Sequence, residues 1–175
     1  MTQSWKRWML RRLVAFVVAA VVMVLLGSAA HSYFVQQAWS SAAGHADGTA
    51  PAAIPFLDRI TWAAHDLVGM FLPYCTVTSI ALFVAFVIAG GLVRFTGFRA
   101  IVFGLAGALA LFTLFTVVKH VLGTVGIFGV RGAAGLAAQM AVGAVAGVLF
   151  ARISSQALRA ESTGSRRPRR LSARI

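Results

Sequence analysis

The sequence predicts an all-α membrane protein. It has four transmembrane helices in an antiparallel bundle, both termini in the cytoplasm, and an extra interfacial helix before the second span. Three observations lead there. Four uncharged apolar runs occur, and each approaches or exceeds the roughly 20 helical residues that a bilayer core requires. The chain of 175 residues is 59% hydrophobic and only 11% charged, against about 25% charged in a soluble domain whose surface faces water. Basic residues also gather in alternate connecting segments, as the positive-inside rule demands.

The elements follow in order. Residues 1–12 form a basic cytoplasmic N-terminus with Lys6, Arg7, Arg11 and Arg12. The first span is 13–30. Its basic flank, apolar core and Ser28-Ala29-Ala30 resemble a secretory signal peptide with a small-residue cleavage site. The apolar character continues through Ala30 and three spans follow, which favours a retained anchor over a cleaved leader. Arg11-Arg12 lacks the flanks of a twin-arginine export signal.

Residues 31–66 form the largest outer loop. Its middle, 40–55, is rich in Ala, Gly, Ser and Pro and reads as flexible. Near 55–66, Phe56, Leu57, Ile60 and Ala64 recur at helical spacing with Asp58, Arg59 and Asp66 between them. That pattern suits an amphipathic helix lying on the membrane surface.

The second apolar run, 67–93, would extend about 40 Å as a helix, too far for an upright span. A proline is tolerated in a first helical turn and disrupts an interior. Pro73 therefore marks the start of the span proper, and the chain before it forms a separate or kinked helix. One long, tilted, kinked helix is the alternative. Residues 94–99 make a cytoplasmic loop, 100–118 the third span, 119–131 an outer loop and 132–151 the fourth span. Residues 152–175 form an Arg-rich cytoplasmic tail, polar enough from Glu161 onward to be disordered.

Orientation rests on charge. The N-in, C-in arrangement keeps all of the 16 Lys and Arg residues inside except Arg59, Lys119 and Arg131. It places Asp47, Asp58 and Asp66 outside. Trp5 and Trp8 fall at the inner boundary, and Tyr33, Trp39, Trp62 and Tyr74 near the outer one, where amphipathic rings anchor. The expected location is a plasma membrane of the bacterial inner-membrane type, crossed several times. The net charge of +12 would point to nucleic acid on a soluble protein. Here its placement beside apolar spans points instead to membrane lipids.

Candidate functional residues fall into three groups. The outer rim collects His65 and Asp66 before the second span and Lys119 and His120 after the third. An Asp66–Lys119 ion pair with imidazoles nearby could handle protons. Helix-end charges snorkelling into the interface would have the same composition. No tight histidine spacing of the metal-binding kind occurs, so no metal is implied. The second group is small residues. In the fourth span Gly135, Gln139, Gly143 and Gly147 recur every four residues. Ala100, Gly104 and Ala108 do the same in the third. Such stripes let helix backbones approach, and Gln139 can hydrogen-bond across the contact, either within the bundle or to another subunit. The third group is Arg166, Arg167, Arg169 and Arg170, suited to anionic lipid headgroups.

Several function classes are disfavoured. The single cysteine, Cys75, excludes an intrachain disulfide and the thiol-exchange chemistry that needs cysteine pairs. No ionisable residue lies in the middle of a span, where ion-coupled transporters place one. Residues 124–129 read Thr-Val-Gly-Ile-Phe-Gly. They lack the tyrosine of a potassium-channel filter, and no pore helix fits before them. No nucleotide-binding or nucleophile motif appears, and no cofactor is implied. The expected function is a non-catalytic subunit or scaffold that contacts lipids and other membrane subunits, or itself, through helix faces. A small oligomeric transporter or channel with the His/Asp/Lys cluster at its outer mouth is the first alternative. An enzyme with an outer-face site is the second. Four spans with a large first outer loop resemble tetraspan proteins in outline, without the cysteines those families carry in that loop.

Overall fold

A computed structural model of the chain describes residues 2–47, 54–123, 130 and 132–165. Among these residues there are four α-helices and no strand: α1 (Thr2–Asp47), α2 (Phe56–Thr96), α3 (Arg99–Leu122) and α4 (Ala133–Ser165). Each contains a stretch long and apolar enough to cross a membrane: Trp8–Ala42, Phe71–Thr96, Arg99–Val121 and Ala133–Ser155.

The helices outrun the apolar runs that foretold them. α1 continues well past Ala30. Its residues 31–46 include Ala, Gln, Ser and Trp and no proline, so nothing there halts helical propagation. α4 likewise runs through Glu161 to Ser165, into the stretch expected to be disordered. The separate interfacial helix expected over 55–66 is not separate. It is the first part of α2, which passes through Pro73 without a break. Proline withholds one backbone N–H and crowds the carbonyl four residues back. Long apolar helices tolerate this when nearby hydroxyls and neighbouring helices compensate. Thr76 Oγ1 donates to Leu72 O at 2.8 Å and Thr78 Oγ1 donates to Tyr74 O, but neither reaches Gly69 O, the carbonyl that Pro73 leaves without its helical donor.

Glycines close the two shorter ends. Gly97 adopts φ 72° after α2 and donates its N–H to Val93 O at 3.1 Å. Gly123 adopts φ 66° after α3. Both are left-handed caps that residues with a Cβ rarely take.

Packing is cyclic. α1 touches α2 and α4, and α3 touches α2 and α4. Along α1 and α2, Phe16 meets Phe83, Ser32 meets Asp66 and Trp39 meets Trp62. Along α3 and α4, Arg99 meets Ser154, Phe103 meets Phe150 and Gly107 meets Gly143. Within each pair, residue numbers rise on one helix as they fall on the other.

The core runs lengthwise between the helices. Ala15, Ala19, Met23, Leu82, Leu111 and Ala146 are fully buried in it. Near the end that carries Arg99, one phenylalanine from each helix meets the others. Phe86 stacks on Phe150 with centroids 4.8 Å apart. Phe103 approaches both edge-on at 5.5 and 4.9 Å, and Phe16 meets Phe86 at 6.2 Å. Edge-to-face and offset pairs of this kind contribute about 1 kcal/mol each beyond the area they bury. Outer faces remain apolar and exposed, including Val17, Val21, Ile80, Phe83, Val87 and Ile88. That inversion suits a hydrocarbon solvent, where apolar side chains carry no penalty for exposure.

Candidate functional site

The most developed polar feature is a link through the interior. Gln139 on α4 is buried. Its Oε1 accepts the Tyr74 hydroxyl of α2 at 2.8 Å, and its Nε2 donates to Gly27 O of α1 at 2.9 Å. One amide thus joins three helices and crosses the α2–α4 diagonal. Gly27 makes this possible: a Cβ there would overlap the Tyr74 hydroxyl. Tyr74, expected at the outer interface, is instead enclosed by the bundle. Each bond satisfies a group that would otherwise be stranded in an apolar interior, a penalty of about 1–3 kcal/mol per group.

The small-residue stripe of α4 faces inward. Gly135, Gln139, Gly143 and Gly147 are all buried. Gly143 abuts Gly107, and Gly147 abuts the Phe103 carbonyl and Gly104. The third-span stripe divides. Gly104 is buried and Ala108 half-buried, whereas Ala100 is exposed. Gly107 takes the position that a strict four-residue spacing misses. It lies three residues from Gly104, the other spacing that returns to the same helix face.

Among the rim residues, Asp66 has a hydrogen bond to another helix. His65, Lys119 and His120 are exposed. Asp66 is half-buried and turns to α1, where its Oδ2 accepts the Ser32 hydroxyl at 2.8 Å. Among the described residues, no hydrogen bond or ion pair joins Asp66 to Lys119. Asp66 also acts electrostatically on His31 of α1, which is buried. His31 and Ser32, which the sequence did not single out as partners of Asp66, approach it from α1. Finding them required the α1–α2 register, which no local spacing encodes.

The same register extends outward. Gln36 Nε2 donates to Arg59 O at 3.0 Å, and Trp39 meets Trp62 at 6.4 Å. Past the Gln139 link, α1 and α2 each continue for roughly 30 Å and α4 for about 10 Å, at 1.5 Å per residue. The arm formed by α1 and α2 therefore projects beyond α4. It exposes Phe56, Leu57, Val68 and Leu72.

At the opposite end, Arg99 donates from Nη2 to Ser154 Oγ at 2.9 Å and lies over the Phe103 ring. Arg12 covers the Trp8 ring at 4.0 Å. Arg166, Arg167, Arg169 and Arg170, the expected headgroup contacts, lie outside the described residues. Among the described residues, no group of three His, Cys, Asp or Glu side chains is arranged to hold a metal ion. No protein-family model matches the chain, and neither a curated protein nor a solved structure matches it.

Proposed function

We propose that the protein is a multi-pass membrane protein of the plasma membrane, an antiparallel four-helix bundle with both termini in the cytoplasm. It acts as a non-catalytic subunit or scaffold. The opposed run of helix pairings supports the antiparallel arrangement, and the segregated arginines support the orientation.

The observation that carries the scaffold reading is the division of labour between the two helix pairs. The glycines of the small-residue faces of α3 and α4, Gly104, Gly107, Gly143 and Gly147, are consumed inside the bundle, which leaves the partner surface to other faces. The α1–α2 arm reaches further and presents large apolar side chains, with Phe56 and Leu57 each 75% exposed. Side chains of that size beyond a membrane span bind other proteins or the membrane interface. The partner is another membrane subunit or a second copy of this chain.

Photo-cross-linking tests the reading. A photoreactive residue replacing Leu57, and another replacing Val68, should each yield one reproducible adduct in intact membranes. A control at Val84, exposed in the middle of the span, should yield none. A lone monomer at all three positions, also seen after mild-detergent purification, would overturn the scaffold function.

A further inference from the structure

A cleft of about 630 Å³ opens between α1 and α2 at the basic end of the bundle. Its walls are Leu13, Phe16, Phe83, Phe86 and Val87, and its floor reaches Phe150 of α4. Gly90 and Gly91 border its open space, where a Cβ on either would meet no other atom within 4 Å. The mouth carries Arg12 and Arg94, and among the described residues no carboxylate lines it.

Among the described residues, the charged groups around this mouth are arginines. Arg94 and Arg99 both act electrostatically on Arg12. Among the described residues, no carboxylate or carbonyl is hydrogen-bonded to Arg12 or Arg94. Arg12 is steadied by the Trp8 ring beneath it, a contact that orients a guanidinium without neutralising it. The Nε of Arg99 is buried and has no hydrogen-bond partner. Like charges gathered beside an apolar wall repel one another, and an anion among them relieves that repulsion.

We infer that this cleft is a binding site for an anionic phospholipid, with one acyl chain between α1 and α2 and the headgroup phosphate held by Arg12 and Arg94. The dimensions fit the chemistry. An apolar crevice open to the side of a bundle admits a chain from the surrounding bilayer. Guanidinium groups at headgroup depth bind phosphate through charge-assisted, geometrically specific bonds. Arg99 adds charge from the neighbouring helix. Neutral lipids offer the same chain but carry no net charge to meet the arginines.

The inference rests on the membrane reading, and its test separates the two. The full-length protein is extracted in mild detergent and titrated with dioleoyl phosphatidylglycerol or dioleoyl phosphatidylcholine. Bound lipid is counted by native mass spectrometry. Phosphatidylglycerol should bind more tightly, and Arg12→Gln and Arg94→Gln should each weaken it about fivefold. Gly90→Phe fills the cleft and should abolish the preference while the bundle still folds, as circular dichroism would report. Equal affinity for the two lipids, or a preference untouched by Gly90→Phe and both arginine variants, would overturn the site while leaving the membrane protein intact. Displacement of the lipid by inorganic phosphate at equal concentration would also overturn it, because the acyl chain would then contribute nothing. A protein that never enters the membrane fraction would fail at the earlier step.

Discussion

Gln139 shows how much one side chain can organise when water is scarce. Its two amide ends have opposite hydrogen-bonding needs, and Tyr74 and Gly27 meet them from different helices. Interhelical bonds of this type contribute about 0.6 kcal/mol on average in membranes and up to about 1.7. Gln139→Leu keeps the volume but strands the Tyr74 hydroxyl, while the Gly27 carbonyl keeps its donor within α1. The expected loss is about 1–3 kcal/mol, read from unfolding of the detergent-solubilised protein in increasing SDS. Tyr74→Phe breaks only one bond, so it should cost less. Added to Gln139→Leu, it should cost little more. Full additivity of the two changes would show that the bond does not contribute. Gln139 was legible in the sequence as a polar residue on a small-residue stripe. Its partners were not, because Gly27 lies 112 positions away.

At the scale of elements, the α3–α4 contact is a meeting of backbones. A Cβ on Gly107 would fall on the Gly143 carbonyl, and one on Gly143 would fall on the Gly107 carbonyl. Neither obstacle is a flexible side-chain tip, so the helices themselves must part. Gly107→Ala should therefore cost about 1–3 kcal/mol or more. Gly69→Ala, in α2 where nothing lies within 4 Å, should gain roughly 0.5–1 kcal/mol from helix propensity. Thermal unfolding followed by circular dichroism compares the two. Equal effects would mean that α3 and α4 are not in contact at these glycines. Elements were legible to different degrees. Hydropathy located four helices because lipid-facing turns must be apolar. It misjudged their ends, because polar residues 31–46 are compatible with a helix and only pairing with α2 shows them to be one. Pro73 misled for a related reason. A proline rule from isolated helices gives way where α1 and α4 hold α2 on either side of the proline.

For the whole molecule the governing asymmetry is electrical. Arg12, Arg94 and Arg99 share one end of the bundle, and Asp66, Lys119 and His120 share the other. Moving a charged segment across a bilayer is costly, and Lys and Arg near span ends hold their side in the cytoplasm. The balance was visible in the sequence. Its three-dimensional consequence was not, because α1 and α2 had to fold together before Arg12 and Arg94 could flank one cleft. A labelling experiment reads the orientation directly. Cys75 is the only native thiol, so a Cys75→Ser background gives a blank. Ala42→Cys sits on the exposed far end of α1, and Thr96→Cys sits exposed between Arg94 and Arg99. A membrane-impermeant maleimide added to intact cells should label Ala42→Cys and leave Thr96→Cys unmodified until the membrane is permeabilised. The reverse pattern would put the arginine-rich end outside. It would also place the proposed lipid site in the opposite leaflet.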